Sequence, residues 1–176
     1  MMLSCGCPEH FPDWDGKDID LGGQFVHALP IPTLMHMPLA YELYVKRQQQ
    51  AIVHLQLQEQ WPGMVLIRTG FFRGSITRLL ENTRSPARHV HVLPRPFWVR
   101  AALHSGNLST GRKLVQRMQM DIVDAGRRPK ELYLSYLTCP HCGDQRGGEK
   151  ILLLRRWEDS ALLKKRLAGN KRANAG

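Results

Sequence analysis

Hydrophobic and polar positions recur along the chain with two different periods, and the longer period predicts helices. From residue 39 to 60 the apolar side chains return mostly every three or four residues, and a helix-terminating Pro62 follows shortly afterwards. The same period returns over 110–125, where Gly126 stands in the position that often ends a helix. Residues 161–169 are expected to form a third, short helix.

The shorter period places valines and aromatic residues at alternating positions, which predicts strands. We expect six of them, over 64–72, 75–81, 88–94, 96–104, 131–138 and 150–158. The third and fourth strands, and likewise the fifth and sixth, are expected to form hairpins. Together these elements predict an α+β fold with a mainly antiparallel sheet of about six strands, two main helices, a short C-terminal helix and a Pro-rich N-terminal arm.

Prolines and glycines are frequent in the first 38 residues and break helices. Phe25 and Ile31 are nevertheless apolar enough to pack on a core, so we expect a loop-like arm that wraps the rest of the protein. A chain of 176 residues is long enough for one domain. The predicted organisation is a wrapping N-terminal arm over 1–38, a single α+β domain over 39–168 and a frayed basic tail over 169–176.

The charge balance is strongly basic, with a net charge of +10 and a pI near 9.9. Such a protein attracts polyanions, and the excess of arginine suits bidentate contact with phosphate. A solvated surface that serves only solubility is the alternative interpretation. The residues that we take as candidate nucleic-acid contacts are Arg68, Arg73, Arg100, Arg112, Lys113 and Arg117.

Neither a membrane-spanning segment nor a secretory signal is expected from the distribution of apolar residues. Four cysteines are too few for a disulfide scaffold in a chain of this size. We therefore expect a cytoplasmic protein without a membrane partner, in which close cysteine pairs are metal ligands or redox groups.

The segment CPHCG, residues 139–143, carries the most specific chemistry in the chain. Haem attachment would require a histidine where Gly143 stands. The motif resembles that of the thioredoxin-fold oxidases, but the glycine-rich sequence behind it disfavours the helix that their chemistry requires. It also resembles a zinc-ribbon knuckle, in which two thiolates face one ion and Gly143 would take a positive φ.

One knuckle supplies two of the four ligands of a structural zinc site. Because the other cysteines of the chain all lie in CGCPEH near its start, we predict a structural zinc that joins the arm to the 131–158 hairpin. Four thiolates would leave no open coordination position for a substrate. His10 and His141 are alternative ligands, and free thiols on a turn are the alternative to a metal site. The predicted ligands are Cys139, Cys142, Cys5 and Cys7.

Two further groups of residues could carry chemistry. His89 and His91 share a face of a predicted strand and, with His104 on the next strand, could hold a catalytic metal, although surface histidines fit the same pattern. The aspartate-rich segment 13–20 departs from the EF-hand order, and we interpret it as a solvated acidic loop that folds back on the basic body.

These features support two functional hypotheses. The first is a small basic zinc-containing protein that binds nucleic acid or another acidic partner and is not catalytic. The second is a metal-dependent or anion-substrate enzyme that uses His89, His91 and nearby arginines. The sequence does not specify the oligomeric state.

Overall fold

The computed structural model describes residues 2–81 and 84–173. The helices are α1 Tyr41–His54, α2 Arg112–Asp124, α3 Pro140–Gly143 and α4 Ala161–Ala173. The strands are β1 Asp18–Asp20, β2 Phe25–Leu34, β3 Met37–Pro38, β4 Leu66–Arg68, β5 Arg73–Leu80, β6 Val90–Val92, β7 Trp98–Ser105, β8 Arg127–Tyr136 and β9 Lys150–Asp159.

The strands form one large sheet in the order β1-β7-β9-β8-β4-β5-β2-β3, with β6 pairing with the start of β2. All the strand pairs described are antiparallel, as predicted. The predicted number of six strands is wrong, because three of the nine strands lie within residues 18–38, where we expected loops.

The positions of the prolines along β2 explain how this strand can join the sheet. Ala28 donates its backbone N–H to the carbonyl oxygen of His89, on the side of β2 that faces away from β5. Successive residues of a strand direct their backbone N–H groups to alternate sides, and Pro30 and Pro32 lie two and four residues after Ala28. An N–H group at either position would therefore also point away from β5, and proline has none to offer. The ladder between β2 and β5 therefore loses no hydrogen bond, and it continues from Phe25 to Pro32.

The predicted hairpin between 88–94 and 96–104 is wrong, whereas the one between 131–138 and 150–158 is confirmed. β6 pairs with β2, and β7 pairs with β1 and β9. Pro94 and Pro96 flank the expected turn, and proline cannot donate the backbone hydrogen bonds that close a hairpin. β8 and β9 pair along most of their length, from Arg127 opposite Asp159 to Tyr136 opposite Ile151.

The two main helices are confirmed, with shorter limits than the periodicity suggested. α1 ends at His54, six residues before the predicted end, and α2 begins after Gly111 without a side-chain cap. α4 reaches Ala173 and so includes part of the tail that we expected to fray, while residues 174–176 lie outside the described ranges.

Both main helices pack on the same face of the sheet. Ile76 and Ile67 lie under α1, and Ile151 and Leu153 lie under α2. The opposite face carries the largest cluster of buried residues, against which Phe11 and Trp14 of the arm pack. This cluster consists of Leu21, Val26, Met64, Leu66, Leu79, Phe97, Val99, Ala101, Leu137, Leu152 and Leu154.

A short connection forces the sheet to curl. β1 is first in the hydrogen-bonded order and β2 is seventh, yet only residues 21–24 join them. Such a link spans at most about 17 Å, whereas six strand spacings in a flat sheet would amount to roughly 29 Å. The sheet therefore bends until its ends approach each other, and backbone N–H groups of Leu21 and Gly23 donate to the carbonyl oxygens of Phe97 and Leu93. The face opposite the helices is thus concave.

Asp18 fixes β1 to the three strands beside it. Its carboxylate accepts hydrogen bonds from Arg100 on β7 at 2.7 and 2.9 Å, from Arg127 on β8 at 2.8 Å and from Trp157 on β9 at 3.1 Å. Burial by itself would raise the pKa of Asp18, but these donors and the charge of Arg100 outweigh it and hold the pKa below its usual value. The acidic segment thus folds back on basic residues.

Candidate functional site

The structure brings the four cysteines of the chain together. The sulfur atoms of Cys5, Cys7, Cys139 and Cys142 all lie within 4.8 Å of one another. Cys139 Sγ is 3.8 Å from Cys142 Sγ, which is about the edge of a tetrahedron around a zinc ion with Zn–S distances of about 2.3 Å. Within residues 2–81 and 84–173, no other group of three or more histidine, cysteine or acidic side chains is clustered in this way. The four cysteines could therefore bind a metal such as zinc.

The local structure of the CPHCG segment differs from the prediction. Residues Pro140–Gly143 form a single helical turn, and Gly143 has a φ of −61° where we expected a positive value. The positive φ angles occur later, at Gly147 and Gly148. The backbone N–H of Cys139 points at Cys142 Sγ at 3.4 Å, so the turn still directs a backbone donor at sulfur.

The thiols of the cluster have different acidities. Burial, and hydrogen bonds that the Cys7 S–H donates to the other cysteines, raise the pKa of Cys7. A hydrogen bond from the backbone N–H of Cys142 lowers the pKa of Cys139 to about 7. Four sulfurs at these distances repel one another as thiolates, so a divalent cation is the group that would allow all four to ionise together.

Arg146, just after the CPHCG segment, also holds the arm. Its guanidinium donates to the carbonyl oxygens of Pro8 at 2.9 Å and Glu9 at 3.0 Å, and it lies over the Phe11 ring at 6.0 Å from the centroid. The arm therefore contacts the β8–β9 hairpin through both the cysteine cluster and Arg146.

A cavity of about 370 Å³ occupies the concave face of the sheet. Its volume lies in the range typical of small-molecule sites. Most of its wall is apolar, and no lining residue in the described part of the chain is acidic. Polar side chains occur at few positions in the wall, and these are Arg68, Arg73, Ser75, Thr77, His91 and Tyr133.

Three of these polar residues form a row across the middle of the sheet. Arg68 on β4 lies opposite Tyr133 on β8 and opposite Ser75 on β5. Residues paired in this way have neighbouring side chains on the same face of the sheet. Burial and the negative charge of Glu131 raise the pKa of Tyr133, while Arg68 opposes that shift. The Tyr133 hydroxyl thus stays protonated, as a hydrogen-bond donor, through the neutral range.

The histidines that we considered as metal ligands do not come together. His91 lines the cavity, whereas the ring of His89 lies 5.9 Å from the ring of His27. His104 is on β7, which does not pair with β6, and its Nε2 lies 2.8 Å from the hydroxyl of Thr110.

The six basic residues predicted to contact nucleic acid lie in three places. Arg68 and Arg73 line the cavity, and Arg100 pairs with Asp18 near the opposite edge of the sheet. The remaining three are exposed on α2, on the helical face.

Among the described helices, none is long and apolar enough to cross a membrane.

Ser75 and Tyr133 are site residues that were not predicted from the sequence. Both occur at alternating positions in predicted strands, as in ELYLSYLT over 131–138. That alternation shows which residues share a face of one strand, but it does not show which strands are neighbours. The row formed with Arg68 depends on the position of β4 between β8 and β5.

Comparisons with solved structures find a similar fold. The "Crystal structure of EcmrR C-terminal domain" matches with a TM-score of 0.59 and 9% sequence identity, over 81% of this chain and 96% of that chain. A chain of the "Cryo-EM structure of EcmrR-DNA complex in EcmrR-RPo" matches with a TM-score of 0.54 and 11% identity, over 81% of this chain and 56% of that chain. At such identities the likeness concerns the fold.

No curated protein matches the sequence. The profile of a family described as "Bacterial hydrolase" does match, and the match covers residues 2–156. It includes the cysteine cluster, the cavity and all nine strands apart from the last three residues of β9. The chain therefore belongs to this family of bacterial hydrolases.

Proposed function

We propose that this protein hydrolyses a small, partly apolar molecule that binds in the concave cavity. The observation that carries the proposal is the cavity itself, about 370 Å³ in volume, with apolar walls and a few polar side chains among them. Sites of this kind bind small molecules in proteins generally. The description of the family supports hydrolysis as the reaction.

Two groups in the cavity have the chemistry that hydrolysis requires. His91 carries the one imidazole in the cavity wall of the described chain, and an imidazole nitrogen can accept a proton from an attacking water. The Tyr133 hydroxyl, kept protonated by burial, can donate a hydrogen bond to the oxygen on which negative charge develops. We assign His91 as the general base and Tyr133 as the hydrogen-bond donor to the oxygen that becomes negatively charged.

Filling the cavity is expected to abolish hydrolysis. Ala28 lines the cavity from β2, so Ala28→Trp would occupy the substrate's place without removing a catalytic group. The measurement is turnover of a panel of chromogenic esters, amides and phosphate esters, with exposed Ala161→Trp on α4 as the matched control. His91→Ala should bind substrate and lower kcat by about a hundredfold or more. Hydrolysis that survives Ala28→Trp at the wild-type rate would contradict the proposal.

We also infer that Cys5, Cys7, Cys139 and Cys142 bind one structural zinc ion. What supports this is the grouping of their sulfurs within 4.8 Å, together with a sulfur–sulfur distance that suits tetrahedral coordination. Zinc would fasten the arm to the β8–β9 hairpin and would take no part in hydrolysis. Reduced thiols at such a site agree with the cytoplasmic location that we propose.

Binding of nucleic acid is a second candidate function, favoured by the basic surface of α2. Arg112, Lys113 and Arg117 are all exposed there, and one protein of similar fold is described in a complex with DNA. If α2 binds DNA, affinity should fall steeply between 50 and 200 mM salt, and the substitution of all three residues by glutamine should reduce the slope. Fluorescence anisotropy with a labelled duplex measures this. Affinity that is independent of salt would exclude binding through this surface.

A further inference from the structure

One arginine in the cavity differs from the others in the fold. Buried and half-buried arginines of the described chain form hydrogen bonds to carboxylates, amides or carbonyl oxygens, and Arg68 is the exception. Arg78 pairs with Glu59, for example, and Arg156 pairs with Glu131 and Glu158. The half-buried guanidinium of Arg68 has no such partner within residues 2–81 and 84–173.

The absence of a partner matters because of where Arg68 lies. A guanidinium stays charged at any physiological pH and has five donors. Its neighbours in the wall include Leu66, Leu154 and Tyr133, so little of its charge is compensated by protein groups. A charge in apolar surroundings is costly unless it is paired. An anion in the cavity would supply the missing acceptor.

The charged residue that lines the concave cavity together with Arg68 is also basic. Arg73 lines the same cavity, and both arginines also line an adjoining cavity of about 360 Å³. The one acidic residue in the wall of that adjoining cavity is Glu131, in the part of the chain described, and its carboxylate is engaged by Arg156 at 3.2 Å. The electrostatic potential at the row of Tyr133, Arg68 and Ser75 is therefore positive.

The rest of the cavity suits hydrocarbon. Val26 and Leu79 come from the sheet, and Leu21, Leu93 and Phe97 come from the segments that join its two ends. These side chains would cover an apolar body while its charged group lies at Arg68.

We infer that the cavity selects amphipathic anions, a carboxylate or a phosphate on a hydrocarbon body, and that Arg68 recognises the anionic group. The inference rests on the proposed function, since it names the class of molecule that the hydrolytic cavity accepts. Arg68 acts as a binding and specificity residue, beside the groups assigned to catalysis. Ser75 can add a hydroxyl hydrogen bond to the same anion.

The test uses four probes of eight carbons each with different head groups: octanoate, octyl phosphate, octan-1-ol and octylammonium. Isothermal titration calorimetry on the full chain compares wild type with Arg68→Met, and Arg47→Met on α1 is the matched control. We expect at least one of the two anions to bind more tightly than octanol, and octylammonium to bind least. Arg68→Met should weaken anion binding about tenfold to a hundredfold and change octanol binding less than twofold.

The Arg68→Lys variant keeps the positive charge but lacks the planar guanidinium. It also provides a second test if Arg68→Met does not fold. It should keep the preference for anions with a lower affinity, because lysine cannot make the bidentate contact. Circular dichroism and thermal melting show whether each variant is folded. Comparison of octanoate with octyl phosphate identifies which of the two anionic groups fits.

The outcomes separate this inference from the proposed function. Octanol binding with no preference for anions, or anion binding that Arg68→Met leaves unchanged, overturns the role of Arg68 and leaves the hydrolytic cavity in place. Failure of all four probes, together with hydrolysis that survives Ala28→Trp, overturns the cavity as the site itself.

Discussion

The double variant Cys139→Ser/Cys142→Ser is expected to lose about one zinc ion per chain and much of its thermal stability. Zinc binding contributes about 10 kcal/mol or more to folding in peptides that lack another core. Here zinc would hold mainly the arm, so we expect a loss of about 5 kcal/mol, which lowers the melting temperature by about 10 to 20 °C in a chain of this size. Elemental analysis and differential scanning calorimetry measure the two effects.

The controls for this prediction are the histidines nearest to the cysteines in sequence. His10→Ala and His141→Ala should keep both the zinc and the melting temperature, since neither histidine belongs to the cluster. Limited proteolysis should cut the double variant within residues 2–17 faster than it cuts wild type, because Arg146 alone would then link the arm to the β8–β9 hairpin. Zinc retained in the double variant would show that other ligands bind it, and wild-type protein without metal would contradict the site.

The parts of the fold that sequence predicted are those governed by local periodicity. The β8–β9 hairpin and the two main helices each depend on residues close together in the chain, so their patterns are visible without knowledge of the rest. The grouping of the cysteines was also predictable, because a knuckle needs two more ligands and the chain offers one other pair.

The parts that were missed depend on contacts between distant segments. Pro30 and Pro32 lie in a segment that we expected to be loop-like, yet at their positions in β2 they cost no hydrogen bond once β5 is the partner. The curl of the sheet follows from the strand order, which no local pattern contains. Arg68, Ser75 and Tyr133 meet for the same reason, so the cavity could be found only from the fold.

Glu59→Gln is expected to destabilise the protein by about 3 to 5 kcal/mol. Arg78 on β5 donates to the Glu59 carboxylate at 2.7 and 2.9 Å, and the two side chains are only 3% and 7% exposed. Glutamine would leave the guanidinium buried without a counter-charge. Urea unfolding at neutral pH measures the loss, and a change below about 1 kcal/mol would contradict the prediction.

The same pair allows a control in which both charges are removed. Glu59→Leu/Arg78→Met should cost less than Glu59→Gln alone, because apolar side chains of similar size replace a buried ion pair at little cost. Gln48 limits this recovery, since its Oε1 accepts from Arg78 at 3.1 Å and would lose that donor. Arg78 faces α1, on the side of the sheet opposite the cavity, so a folded variant should keep its affinity for anionic probes. Stability and ligand binding are thus carried by different arginines of the same sheet: Arg78 is paired and serves the fold, and Arg68 is left to pair with the ligand.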